Sequence, residues 1–160
     1  MRRLIYLLLA VVMVLAACYT NSETGRKQLL LFPKSGESEL GVTTYAQIKQ
    51  ETPKSTDQAK NDLVNRVGRR VSAVVDLPGA QWEFTTFAKD DVVNAFCLPG
   101  GKIGVYTGIL PITQTDAGLA AVIGHEVAHA TARHGGERMS QGLLVNLGGL
   151  GLAMALQDKP

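Results

Sequence analysis

Cysteine and histidine are scarce in this sequence, two and three among 160 residues, so each one present has to be accounted for. Long apolar runs are also missing. The two longest, Leu4 to Ala17 and Leu143 to Leu156, are about 14 residues each, against the roughly 20 that a bilayer-spanning helix needs. No basic stop-transfer cluster follows the first run, where Thr20, Asn21, Ser22 and Glu23 are polar, which disfavours a permanent transmembrane anchor. Excess charge of either sign is absent as well: 16 basic residues face 14 acidic ones, and Arg2 and Arg3 account for the difference. Without a basic cluster interleaved with aromatics, there is no argument for nucleic acid or for an acidic substrate. Repeats and low-complexity segments are not found.

The N-terminus has the layout of an export signal, with two arginines, an apolar stretch and small residues at its end. Leu15-Ala16-Ala17-Cys18 resembles the bacterial lipobox, which implies cleavage before Cys18 and lipidation of its thiol. The resemblance predicts a lipid anchor of more than one acyl chain, sufficient for stable attachment. Tyr19, where an Asp would resemble an inner-membrane retention signal, favours the outer membrane facing the periplasm. Residues 1–17 are thus expected to be a signal peptide and residues 18–36 a lipidated tether that docks one short apolar segment, Leu29 to Phe32. Cys97 is then the one remaining thiol, which excludes an intramolecular disulfide. Its apolar surroundings predict a packed small hydrophobe rather than a nucleophile.

The remainder, residues 37–160, has the length of one compact domain. Apolar positions Leu40, Val42, Tyr45 and Ile48 predict a helix that stops before Pro53. A second helix fits Asp57 to Val75, with Leu63, Val64, Val67, Val71 and Val74 on one face. From Trp82 the period changes to two, predicting a strand and a hairpin turn at Lys89-Asp90-Asp91. Two more strands, Val92 to Phe96 and Lys102 to Thr107, flank the breaker Pro99-Gly100-Gly101. Helices followed by a small mixed or antiparallel sheet define an α+β class. Thr115 or Asp116 can cap a long helix running to about His134, with Gly135-Gly136 as its stop. The apolar, glycine-rich stretch beyond is expected to be a buried or hairpin helix.

Inside that long helix lies His125-Glu126-Val127-Ala128-His129. Histidines four apart project from one helix face a turn apart and can converge on one metal ion. Glu126, about 100° around the helix from His125, can reach a water on that ion without occupying a coordination site. This spacing suits metal-assisted hydrolysis: zinc acidifies water and polarises a carbonyl, while the carboxylate moves the proton. Small neighbours Ala121, Val122, Gly124, Ala128 and Ala130 suit a helix at the floor of a cleft. His134 lies about 180° around the helix from His125, which puts it outside the metal shell. Glu137 could serve as third ligand if the chain turned at Gly135-Gly136.

Three blocks make the pattern specific: Asn94 to Ile103, Tyr106 to Leu110, and Leu119 to Gly124 running into the histidine motif and on through Arg133-His134 and Glu137-Arg138. Together they resemble the M48 family of zinc metallopeptidases, and Thr24 to Leu29 after a lipidated cysteine resembles its periplasmic lipoprotein type. The resemblance implies a zincin-like (gluzincin) domain with a central zinc-motif helix. His125 and His129 would be the ligands of Zn2+ and Glu126 the catalytic base. It also implies an endopeptidase that binds extended polypeptide beside this helix, with Asn94, Ala95 and Phe96 near the substrate, acting on misfolded or damaged envelope proteins. The family's third ligand is a Glu on a helix well downstream, whereas here Asp158 is the one acidic side chain after Glu137. The peptidase domain is therefore expected to be incomplete at its C-terminus. The other function class open to such a chain is a truncated, non-catalytic lipoprotein that binds unfolded envelope proteins or assembly partners.

Overall fold

A computed structural model describes residues 18–21 and 24–157, with side chains from residues 19 to 149. The expected signal peptide over residues 1–17 lies outside the described residues, and so does the side chain of Cys18. The chain divides into two compact units, one spanning Lys34–Arg133 and the other built from the segments before Lys34 and from His134 onward.

In the Lys34–Arg133 unit, helix α1 covers Lys34–Glu51 and begins inside the expected tether. Its buried residues are Glu37, Gly41 and Tyr45. Leu40 and Val42, expected to face the core, are 48% and 47% exposed, so this helix packs through one tyrosine and a glycine rather than an aliphatic stripe. Helix α2, Gln58–Ser72, starts where the Asp57 carboxylate accepts from the Lys60 amide. That bond satisfies one of the donors a helix start leaves orphaned. Val64 and Val67 are its buried contribution.

Strands β3 (Glu83–Phe87), β4 (Ala95–Leu98) and β5 (Lys102–Tyr106) form one sheet in the order β3-β5-β4. Pro99-Gly100-Gly101 makes the β4–β5 hairpin, with φ of 85° and 82° at the two glycines, a region glycine enters without steric cost. The turn at Lys89-Asp90-Asp91 does not make a hairpin. The chain crosses over, and β3 pairs parallel to β5, Phe84 opposite Ile103 and Thr86 opposite Val105. The sheet is thus mixed. Val92 and Val93, expected in a strand, belong to the crossover.

One sheet face carries Ala95, Ile103 and Val105, which join Val64 and Val67 of α2 in the main core. The other face carries the aromatic group of Tyr45, Phe87, Phe96 and Tyr106, where the Tyr45 hydroxyl donates to Ile103 O at 2.9 Å and lies 2.7 Å from Thr85 Oγ1. After a 3-10 turn at Thr107–Ile109 and the short α3 (Leu110–Thr113), helix α4 runs Asp116–Thr131. Thr115 caps it through the Gly118 amide. Leu119, Ile123 and Val127, four residues apart, are all within 2% of complete burial. Such side chains each contribute about 1.5–3 kcal/mol, and this stripe sets which face of α4 meets the sheet.

The second unit holds an antiparallel pair, β1 (Cys18–Thr20) with β2 (Lys27–Leu29), and helix α5, His134–Gln157. Asn21 Nδ2 donates to Gln28 Oε1 at 3.1 Å, and the Leu31 amide donates to Ser140 Oγ at 2.9 Å. The tether segment therefore contains secondary structure of its own. Gly135 and Gly136 do not stop a helix; they lie in the first turn of α5. The apolar stretch expected to be buried is open over its described part, with Leu143, Val145 and Leu147 being 38%, 73% and 55% exposed. No helix among the described residues is long and apolar enough to cross a membrane.

Candidate active site

Helical phase divides the work of α4 among its faces. Relative to buried Ile123, at 100° per residue, Glu126 lies about 60° away, while His125 and His129 lie about 160° and 120° away. The core stripe thus turns both histidines off the sheet and leaves Glu126 between them and the core. His125 is exposed and His129 partly so. Their Nε2 atoms approach to 3.0 Å, and the rings stand nearly perpendicular at 83° with centroids 4.5 Å apart.

That convergence is the test of metal fit. Two imidazole nitrogens on one tetrahedral ion, each bonded at about 2.0–2.1 Å, would lie about 3.3 Å apart. The pair needs only a few tenths of an ångström of adjustment, so the donors present suit a divalent ion such as zinc. Among the described residues no group of three His, Cys, Asp or Glu side chains forms a fuller donor set. Glu137, considered as a third ligand, has its carboxylate engaged elsewhere in its own unit. Arg26 and Gln28 both donate to Oε2, and Gln141 donates to Oε1. His134 opens α5 rather than closing α4.

The α4 face bearing the histidines is open. Ala121 and Ala128, expected at the floor of a cleft, are exposed. Beside the helix lies β4, the outermost strand on its side of the sheet. The opposite edge, β3, is partly covered by residues 53–55 through an isolated bridge from Lys54 to Phe87 and the Ser55 amide donating to Thr86 O. Tyr106 N donates to Asn94 O at 3.1 Å. Antiparallel alternation then makes Phe96–Gly104 and Leu98–Lys102 the hydrogen-bonded pairs and turns the backbone N–H and C=O of Ala95 and Cys97 toward the open edge.

Of the three residues expected near a substrate, Asn94 is exposed at the start of β4, Ala95 is buried in the core, and Phe96 packs with Tyr45, Phe87 and Tyr106. Their side chains therefore diverge. What the strand presents at its edge is backbone, including that of Cys97, which period-two reading alone does not single out because it requires the pairing register.

Cys97 packs against the core, and burial pushes its thiol up to about 12, with the nearby Glu126 charge adding to the effect. Burial likewise raises the Tyr45 phenol above its ordinary value. Both are acids held neutral, so the folded state keeps protons that the unfolded chain releases as pH passes the ordinary thiol value of 9.0. Stability should therefore fall as pH rises above about 9, by up to about 1.4 kcal/mol per pH unit for the thiol. Urea midpoints from pH 8 to 11 check this, and Cys97→Ala should flatten the decline. A steeper decline in that variant would contradict the assignment. The folded thiol should also resist alkylation at pH 8.

Two histidines converging on one point, a carboxylate on the residue after the first of them and an edge strand alongside form an arrangement suited to metal-dependent peptide hydrolysis. Residues 58–158 match peptidase family M48. The chain belongs to that family, whose members are metallopeptidases. It is 46% identical over 77 residues to the mitochondrial metalloendopeptidase OMA1 of Schizosaccharomyces pombe, a match covering 48% of this chain and 23% of that protein. The mitochondrial metalloendopeptidase OMA1 of Bos taurus is 31% identical over 157 residues, covering 89% of this chain and 28% of that protein. The beta-barrel assembly-enhancing protease of Escherichia coli K12 is 26% identical over 98 residues, covering 61% and 20% respectively. The chain thus spans well under a third of the length of each of these relatives.

Proposed function

We propose that this chain is a zinc-dependent endopeptidase segment of zincin-like architecture that cleaves misfolded or damaged cell-envelope proteins. The observation that carries the reading is the 3.0 Å convergence of His125 and His129, with Glu126 on the adjacent helix position. His125 and His129 would hold the ion, which when bound supplies a Lewis acid that acidifies water and polarises the scissile carbonyl. The Glu126 carboxylate takes the proton of the attacking water and passes it to the departing amine, so no net proton remains on the enzyme. Ala95 and Cys97 would hold an extended substrate by main-chain hydrogen bonds, in the manner of strand addition to a sheet edge. Such binding reads backbone rather than side chains, which suits a substrate class defined by being unfolded.

The Leu15 to Cys18 motif supports a lipid-anchored position at the outer membrane facing the periplasm. That part of the reading rests on the sequence of the leader alone. Beta-barrel assembly in the name of one relative agrees with an envelope setting.

The test is metal content together with proteolysis. The purified chain, and the same chain joined to any in-frame sequence found beyond codon 160, are expected to bind one zinc per molecule and to cleave casein. His125→Ala and His129→Ala are expected to lose both properties. Zinc uptake unaffected by either substitution would refute the site. Stoichiometric zinc without turnover in both forms would instead favour the binding protein.

A further inference from the structure

Arg133 follows the end of α4 in a left-handed backbone conformation, with φ of 54°. Glycine or asparagine is the usual occupant of that position after a helix, so an arginine there needs compensation from its side chain. The compensation is visible. Arg133 Nε donates to Glu37 Oε2 at 3.2 Å and Nη2 donates to Oε1 at 2.6 Å, a two-pronged grip on a carboxylate in the first turn of α1. The two side chains are 13% and 4% exposed, against 53% and 43% for the Arg66–Asp116 pair on the same unit. Screening is weak at such a site, and planar two-pronged contacts fix direction as well as distance.

The pair sits where three elements meet. With Ser38 of α1, Pro99 and Gly100 of the β4–β5 turn and Thr131 of α4, it lines a cavity of about 70 Å3. Immediately upstream the last bonds of α4 close: the Ala132 amide donates to Ala128 O at 2.9 Å and the Arg133 amide to Ala130 O at 3.1 Å. His129 belongs to that final turn. Helix ends fray unless something holds them, and a ligand in a fraying turn loses its aim. Here the holding group comes from another helix nearly a hundred residues earlier in the chain.

We propose that Glu37 and Arg133 are positioning residues that lock the last turn of α4 and so aim His129, setting the affinity of the two-histidine site for its metal. The inference rests on the reading of His125 and His129 as metal ligands. Neither Glu37 nor Arg133 touches substrate or metal in this role. They act through the backbone of the last α4 turn rather than by contact with a ligand; loss of groups that orient metal ligands weakens metal binding by about 10- to 100-fold.

The experiment uses the full chain and three variants: Glu37→Gln, Arg133→Lys and Arg133→Gly. Zinc affinity is measured with zinc chloride against a chromophoric chelator, and amide hydrogen exchange is measured on metal-free protein. All three variants are expected to weaken zinc binding about tenfold or more and to speed exchange at residues 128–132, leaving α2 unchanged. Arg133→Gly is informative because it relaxes the backbone while removing the grip, so weaker zinc binding in a well-folded glycine variant assigns the effect to the side chain. Zinc affinity and exchange within twofold of the unsubstituted chain in folded Arg133→Lys and Glu37→Gln would overturn the proposal. Should Glu37→Gln fail to fold, Arg133→Lys decides alone, since lysine keeps the charge but cannot grip both oxygens. An unsubstituted chain that binds no zinc would defeat the metal reading, and exchange at residues 128–132 would still decide the positioning role.

Discussion

Glu126→Gln is expected to lower peptide hydrolysis by about 100- to 10,000-fold while leaving zinc content unchanged. The amide keeps the size and shape of the carboxylate but has no basic oxygen to take a proton from water. Glu126 also has no place in the core stripe, which is formed by Leu119, Ile123 and Val127, so the substitution should leave packing intact. In the proposed site the histidines rather than Glu126 would hold zinc, which separates this variant from His129→Ala, where metal and turnover should vanish together. Cleavage of a fluorogenic peptide, normalised to bound zinc, is the measurement. A Gln variant that turns over like the unsubstituted enzyme would mean that the proton is moved by another group. The charge on Glu126 also contributes to keeping the Cys97 thiol protonated, so the variant should show that thiol titrating somewhat lower. This second readout reports directly on the proximity of Glu126 to β4.

The same substitution at two helical glycines is expected to act in opposite directions. Alanine is the better helix former by about 1 kcal/mol in a helix interior, so propensity alone would make both Gly41→Ala and Gly124→Ala stabilising. At Gly124 a Cβ would meet nothing within 4 Å, and a gain of about 0.5–1 kcal/mol should appear. At Gly41 a Cβ would stand 2.2 Å from the carbonyl oxygen of Pro99. That neighbour is backbone in the β4–β5 turn and cannot rotate aside, so α1 must shift outward. Overpacking of this kind costs about 1–3 kcal/mol, more than propensity returns, and the denaturation midpoint should fall. The shift would also disturb β4, the strand beside the zinc motif. Equal and stabilising effects at both positions would show that α1 does not approach the hairpin as described.

Local chemistry made several elements legible in advance. Of the two caps expected for α4, Thr115 proves to be the side-chain cap, and the helix expected to begin at Asp57 does start there, with Asp57 as its cap. Pro99-Gly100-Gly101 marks a turn because two successive left-handed residues need glycine. The histidine spacing places two imidazoles on one face of any helix, whatever surrounds it. Other features carried no local mark. Period-two alternation in Trp82 to Phe87 is the same whether the strand's partner is parallel or antiparallel, so the parallel pairing with β5 could not be read from it. The end of α4 was expected at Gly135-Gly136, the residues whose chemistry favours a stop. It falls at Thr131 instead, and Arg133, just beyond, takes a left-handed conformation that its own sequence neighbourhood disfavours while its side chain grips a distant glutamate.

The sequence by itself determined the family and the helical spacing of His125, Glu126 and His129, since these depend on residue types and helical geometry alone. Only the tertiary structure decided which way those residues face. The burial of Leu119, Ile123 and Val127 against the sheet turns His125 and His129 outward, and the β3-β5-β4 order leaves the backbone of Ala95 and Cys97 on an open edge beside them. Those outcomes depend on contacts between residues far apart in the chain, whose energies no local window contains.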